Sequence, residues 1–197
     1  MNSFDLFGYH LINQWAGHHP VLDKLMAFFA QYALELYAVL FLLSWFTLPK
    51  SDSNKRHALV VAGFSGVLAL AFNAIIGQFF FRPRPFVTLQ KGTFAQLIPH
   101  SLDTSFPSDH TSGSFGFAAG SWREATIWIR WTFTILAIIV PIARVYTGVH
   151  WPTDVLASVV IGIVSAKIMW LMNHYLRPVT NLGLRIFHYA KYAKEAE

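Results

Sequence analysis

Long apolar stretches separated by short polar breaks dominate this chain. Val21 to Leu48 is nearly unbroken apolar sequence, ending at Pro49 and the polar run Lys50-Ser51-Asp52-Ser53-Asn54-Lys55-Arg56. His57 to Phe81 is the next stretch, closed by Arg82-Pro83-Arg84-Pro85, and a polar region then runs to about Ser105. A shorter apolar segment covers Pro107 to Trp122, followed by Trp128 to Tyr146 and Pro152 to Leu176. A helix crosses the hydrocarbon of a bilayer with about 20 mostly apolar residues, so the pattern predicts five spans. Pro141, inside the fourth, predicts a kink there. The two ends, Phe4 to Trp15 and Val179 to Ala193, mix apolar and polar positions as interfacial amphipathic helices do. The expected fold class is all-α: an integral membrane helical bundle of about five transmembrane helices plus interfacial terminal helices. It reads as one membrane-embedded domain over residues 1–197, with no internal repeat, low-complexity segment or flexible linker.

Composition strengthens the membrane reading. Of 197 residues, 54% are hydrophobic and 13% charged, against roughly 25% charged in an average soluble domain. That is too little charge to cover a water-facing globule, and it excludes disorder, a collagen repeat and a nucleic-acid-binding domain. With no Cys there is no disulfide, thiolate nucleophile or cysteine zinc site. The start, Met1-Asn2-Ser3-Phe4-Asp5, lacks a basic leader region, so a cleaved signal peptide is not expected. The net charge of +5 is spread unevenly. Lys50, Lys55, Arg56, Arg123, Arg130, Arg177, Arg185, Lys191 and Lys194 fall on one side of the predicted spans; Lys24, Arg82, Arg84, Lys91 and Arg144 fall on the other. Basic loops mark the cytoplasmic side, which places the N-terminus outside and the C-terminus inside. Three arginines at span ends on the outer side are left without a topological reason.

Those arginines belong to three segments that converge on the outer face: Arg82-Pro83-Arg84-Pro85-Phe86, Pro107-Ser108-Asp109-His110, and Arg144 through His150 to Asp154. Pro107 and Pro152 suit a first helical turn, where a missing N–H is no loss. Ser108, Asp109 and His110 then lie where free backbone N–H groups point at an anion. Arg84 and Arg144 carry planar forks that match phosphate oxygens and are placed to clamp one phosphoryl group between two spans. His150 and Asp154 are four apart at a helix start, so the carboxylate is expected to take Nδ1–H and leave Nε2 as the nucleophile. His110, on another helix, is placed to protonate a leaving oxygen.

Together these residues resemble the type 2 phosphatidic acid phosphatase superfamily, with its R-P, P-S-x-H and R-x5-H-x3-D signatures. The likeness covers nearly the whole chain. It implies a phosphohistidine on His150, oriented by Asp154, with His110 as general acid, phosphate held by Arg84, Ser108 and Arg144, and no required metal or other cofactor. The Arg82-Pro83-Arg84-Pro85-Phe86-Val87 run, the Ser105-Phe106-Pro107-Ser108-Asp109-His110-Thr111 stretch, the small size and the five spans are most similar to the bacitracin-resistance undecaprenyl-diphosphate phosphatases. That branch implies hydrolysis of the diphosphate carrier lipid to undecaprenyl phosphate and phosphate on the outer face, with a membrane lipid as partner and no nucleic acid. Two positions depart from the wider family. Its Lys, seven residues before the motif arginine, is Gly77 counted from Arg84 or Ile75 counted from Arg82, so that cationic phosphate contact is absent or is supplied elsewhere, by Arg82 or Lys91. The usual Gly of P-S-G-H is Asp109, a first-turn dipole partner or a cation contact beside the phosphate.

Other groups carry plainer readings. Arg82 is an interfacial anchor or a second phosphate contact, and His100 a loop residue or a neighbour of the site. Glu35 lies mid-span, where an acid costs about 2.5–3.5 kcal/mol. Either Gln31 or Asn73 partners it inside the bundle, or it shapes the lipid headgroup pocket or a proton path. Gly63, Gly66, Gly113, Gly116 and Gly120 are spaced for close helix packing. The competing functions are phosphatidic acid or phosphatidylglycerol phosphate hydrolysis, and lipid phosphotransfer on the same scaffold. A haloperoxidase with these motifs would be soluble. A transporter would carry its polar groups through several spans, whereas here they cluster at one face.

Overall fold

The computed structural model describes residues 2–192. Those residues form eight α-helices and no strands: α1 (Ser3–Asn13), α2 (Pro20–Thr47), α3 (Ser53–Phe79), α4 (Pro85–Thr88), α5 (Asp109–Ser121), α6 (Ile127–Tyr146), α7 (Pro152–Leu171) and α8 (Arg177–Ile186). Helices α2, α3, α6 and α7 are long and apolar enough to cross a membrane. The segment expected as the short third span is α5, only 13 residues and so about 20 Å long. It is rich in Gly and Ser rather than in large apolar residues, and it sits inside the bundle against α3, α7 and α6.

The exposed and buried surfaces explain the composition. Large apolar side chains such as Leu42, Val67, Ile135, Ile138, Val160 and Ile163 point outward, while Ser65, Ser112, Ser158 and Ser165 are fully buried. Each of those serines donates to the carbonyl one turn back in its own helix, at 2.7–2.8 Å, which satisfies the hydroxyl without help from water. Small residues let the backbones of α3, α5 and α7 nearly touch. A Cβ on Gly116 would lie 2.8 Å from both Gly66 Cα and the Ser65 carbonyl oxygen, and one on Gly162 would lie 2.6 Å from the Ser112 carbonyl oxygen. Gly63 is the exception among the predicted packing glycines, with open space where its side chain would point. An aromatic cluster fills the gap between α2, α5 and α6: Tyr37 stacks edge-on against Phe133 and donates to its carbonyl oxygen at 2.6 Å.

Helix α6 continues through Pro141. The irregular residue falls instead in α2, at Tyr32 (φ −109°, ψ 17°). Two residues earlier the Ala30 carbonyl accepts from Arg144 at 2.8 Å, a side chain entering the helical ladder and so a sufficient cause for the bend. At the end of the bundle away from the motif segments, Arg56 is fully buried and caps the last turn of α2 through the carbonyls of Trp45, Leu48 and Pro49. Arg177 reaches Asn54 and Arg123 lies over Trp170 at this same end. Lys194 and Ala193 lie outside the described residues. The amphipathic N-terminal segment is α1. It crosses the motif end of α6 and α7, with Tyr9 packed on Trp151 and Asn13 donating to the carbonyls of Ala95 and Tyr146 at 2.8 Å.

Candidate active site

Helix ends deliver the three motif segments to one place. Arg84 follows the C-terminus of α3, His110 lies in the first turn of α5, Arg144 ends α6, and His150 precedes α7. Gly148 makes the α6–α7 turn possible: its φ is +83°, and a Cβ would lie 2.2 Å from the Ala95 carbonyl oxygen. These groups line a cavity of about 520 Å³ together with Asn73, Gly77, His100, Asp103 and Asp109.

His150 is the centre of the arrangement and is almost entirely buried. Its Nδ1 lies 2.8 Å from the Ser105 carbonyl oxygen. A carbonyl only accepts, so Nδ1 carries the proton and Nε2 the lone pair. Nε2 in turn lies 3.3 Å from Arg84 Nη1 and 3.0 Å from Arg144 Nη2, which can only donate to it. Burial, together with the charges of Arg144 and Arg84 and the ring of His100, holds the His150 pKa well below the usual histidine value. The ring is therefore a neutral base with its lone pair aimed between two guanidinium groups.

Both arginines are pinned. Arg84 donates to the Val149 and Thr104 carbonyls at 2.9 Å and twice to Asp103 Oδ1 at 2.8–3.0 Å. Burial works against the Asp103 carboxylate, but the Arg84 bonds outweigh it and hold its pKa down. Arg144 donates to Ala30 and, at 2.8 Å, to His100 Nε2. Burial and the two arginines lower the His100 pKa to about 4, so that ring also accepts.

A match to the PAP2 superfamily covers residues 58–178, more than half of the chain. The chain belongs to the PAP2 superfamily. It is a membrane-embedded hydrolase, a lipid phosphatase of that family. It is 36% identical over 171 residues to undecaprenyl-diphosphatase BcrC of Bacillus subtilis, covering 86% of this chain and 84% of that one. The bacitracin transport permease protein BcrC of Bacillus licheniformis is 30% identical over 167 residues, 84% of this chain and 78% of that one. Among solved structures, Aquifex aeolicus LpxE superposes with a TM-score of 0.67 at 27% identity, covering 86% of this chain and 96% of that one.

Several motif residues of this PAP2 chain sit differently from expectation. Asp154 does not take the Nδ1 proton of His150; its nearer oxygen is 3.6 Å away. That oxygen accepts from the Trp151 backbone N–H at 2.9 Å and from the Ser105 hydroxyl, while the other accepts from Arg82 at 2.6 Å. A carboxylate at the third helical position naturally folds back onto the N-cap N–H, and this draws it away from the imidazole. Arg82 is held between Asp5, Thr153 and Asp154 and does not line the cavity. Ser108 is buried with its hydroxyl 3.1 Å from that of Thr111, and it too stands off the cavity wall.

Asp109 does line the cavity, and accepts from Asn73 at 2.9 Å. Asn73 is thereby engaged with Asp109 and Ser112 rather than with Glu35. Glu35 is exposed on α2 and absent from the cavity wall, so it is not buried against a partner in the bundle. At the position of the family Lys, Gly77 lines the cavity, and the exposed Lys91 does not replace it. The residues that spacing did not reveal are Ser105, Asp103 and Asp5. Ser105 stood inside the recognised stretch, whereas Asp103 lies in a polar loop with no periodicity to place it.

Proposed function

We propose that the protein hydrolyses undecaprenyl diphosphate to undecaprenyl phosphate and phosphate at the outer face of the membrane, through a phosphohistidine on His150. The observation that carries this reading is the neutral His150 ring, with Nδ1–H fixed on the Ser105 carbonyl and Nε2 within 3.3 Å of two guanidinium groups. In the substrate-free site the guanidiniums donate to the Nε2 lone pair. A phosphoryl group entering the cavity offers three acceptor oxygens to the same donors, which frees the lone pair for in-line attack. The Nε2–P bond forms as the bridging P–O bond breaks, and His110, which takes up a proton as the anionic substrate enters beside it, passes that proton to the departing lipid phosphate. Water then cleaves the N–P bond with His110 as base, and phosphate leaves.

Arg84 and Arg144 supply fixed positive charge where negative charge grows on the equatorial oxygens. Donors preorganised in this way are the largest single source of rate enhancement in such sites. The diphosphate lipid is favoured by the likeness to the Bacillus subtilis undecaprenyl-diphosphatase. The outer-face assignment follows from the basic residues, which gather at the end of the bundle opposite the cavity. Helix α5, at 13 residues shorter than the four long helices, is read as starting His110 near headgroup depth, where a lipid phosphate lies.

Phosphate release by the purified chain, from undecaprenyl diphosphate and from phosphatidic acid with EDTA present, tests the reading. Turnover of the diphosphate in preference to phosphatidic acid is expected. Preference for phosphatidic acid would keep the chemistry and remove the carrier-lipid assignment. Phosphate release only on adding an acceptor would make the chain a phosphotransferase.

A further inference from the structure

We propose that Asp5, on the amphipathic first helix and outside all three motif segments, is a positioning residue of the active site, acting on His150 through Arg82, Asp154 and Ser105. The proposal rests on the reading of His150 as the nucleophile.

Helix α1 turns Phe4, Phe7 and Leu11 outward, as an interfacial helix does, yet Asp5 on it is fully buried. A buried carboxylate is unfavourable unless it is paired and hydrogen-bonded. Asp5 is both. It accepts from Arg82 at 2.5 Å, from the Thr153 backbone N–H at 2.9 Å and from the Thr153 hydroxyl at 2.8 Å. Those bonds outweigh the burial that would raise its pKa, and hold it below the ordinary aspartate value.

From there a continuous set of bonds reaches the nucleophile. Arg82 uses one terminal nitrogen for Asp5 and the other for Asp154 Oδ1, at 2.6 Å. Asp154 Oδ2 accepts the Ser105 hydroxyl. The Ser105 carbonyl accepts His150 Nδ1–H at 2.8 Å. The backbone closes the loop: Ser105 N–H donates to the Arg82 carbonyl at 2.7 Å. Ser105, the residue that fixes the tautomer of His150, is thus held by Arg82 on its backbone and by Asp154 on its side chain. Arg82 is in turn shared between two carboxylates.

Without the Asp5 charge, Arg82 has a single anionic partner. Its fork is then free to take both oxygens of Asp154, a bidentate geometry guanidinium favours. Oδ2 would leave the Ser105 hydroxyl, and the carbonyl that holds Nδ1–H would lose its tether. The consequence is a misaimed lone pair, which lowers kcat without weakening the grip of Arg84 and Arg144 on phosphate.

The test uses the full chain in detergent, on whichever lipid the wild type turns over, with wild type, Asp5→Asn, Asp154→Asn and the double variant. Asn13→Ala, which loosens α1 from Ala95 and Tyr146 without touching the relay, reports the effect of docking alone. Asp5→Asn is expected to lower kcat at least tenfold with KM within twofold. The double variant should be no slower than Asp154→Asn, because both changes break the same relay, and Asn13→Ala should lose less than threefold. Multiplying losses in the double variant, a KM effect with kcat intact, or an Asp5→Asn loss no larger than that of Asn13→Ala would overturn the proposal. If Asp5→Asn does not fold, Asp5→Glu, which keeps the anionic partner of Arg82, is expected to hold kcat within threefold of wild type, and a tenfold loss of kcat in that variant would overturn the proposal. His150→Ala run in parallel separates the two levels. Activity in that variant removes the nucleophile reading itself, whereas its loss beside normal Asp5→Asn turnover removes only the role of Asp5.

Discussion

His150 Nδ1 faces the backbone carbonyl of Ser105 at 2.8 Å and not the carboxylate of Asp154, which is 3.6 Å away. The acid therefore orients the imidazole at one remove, through the Ser105 hydroxyl and the Trp151 N–H. Ser105→Ala keeps the carbonyl but loses one bond to a charged group, worth about 1.5 kcal/mol, and should slow phosphate release about tenfold. Asp154→Asn also takes one of its two carboxylate partners from Arg82 and should lose at least a hundredfold. Steady-state kinetics on the two variants checks the order; a Ser105→Ala enzyme slower than Asp154→Asn would contradict it.

Loss of either phosphate-facing guanidinium should remove about 3 kcal/mol of transition-state stabilisation, more than a hundredfold in rate. Lysine should not rescue either one. Arg84 uses its nitrogens on Val149, Thr104, Asp103 and His150, and Arg144 uses its own on Ala30, His100 and His150. A point charge cannot reproduce those forks. Full activity in Arg84→Lys or Arg144→Lys would show that charge alone suffices.

Acidification should destabilise the fold through two loop histidines. His100 is lowered to about 4, and His150 lies well below the usual value. Below about pH 6.5, the ordinary histidine value, the unfolded chain binds protons that the folded chain refuses. Stability is thus complete above that pH and is lost as the pH falls toward about 4. Melting temperatures in detergent from pH 8 to pH 4 should fall over that window, and His100→Asn should flatten part of the fall. A melting temperature that rises on acidification would contradict the assignment.

Packing of α5 against its neighbours should be intolerant of a single methyl group. Gly116→Ala places Cβ 2.8 Å from backbone atoms of α3, an overpacking cost of about 1–3 kcal/mol. The melting temperature should fall by several degrees. Gly63→Ala meets nothing within 4 Å and should not lower it. Equal effects of the two substitutions, read by thermal unfolding in the same detergent, would mean that α5 is not gripped as described.

The helical bundle was legible because apolar runs and prolines set the span ends to within a few residues, as for α2, α3 and α6. The third segment was seen, but its length was overestimated because Pro107 and Ser108 precede the helix rather than belong to it. Arg84, Arg144, His110 and His150 converge because helix ends bring them together, and helix ends are what a hydropathy pattern reveals. What it cannot reveal is how a carboxylate chooses among neighbours. Asp154 is within reach of His150 by spacing, yet the N-cap of α7 and Arg82 take its oxygens. Arg82 stood open between an interfacial anchor and a phosphate contact because its partner Asp5 is 77 residues away along the chain. His100 and Asp103 lie in a loop whose course follows from tertiary bonds to the two arginines, and no periodicity encodes that.

The central claim is that His150 forms a bond to phosphorus. The purified chain and His150→Ala should be incubated briefly with undecaprenyl diphosphate labelled at the terminal phosphate, then quenched in alkali. Wild type should retain label in an alkali-stable, acid-labile linkage and release phosphate on longer incubation, while His150→Ala should do neither. Phosphate release by His150→Ala at a rate near wild type would contradict the account.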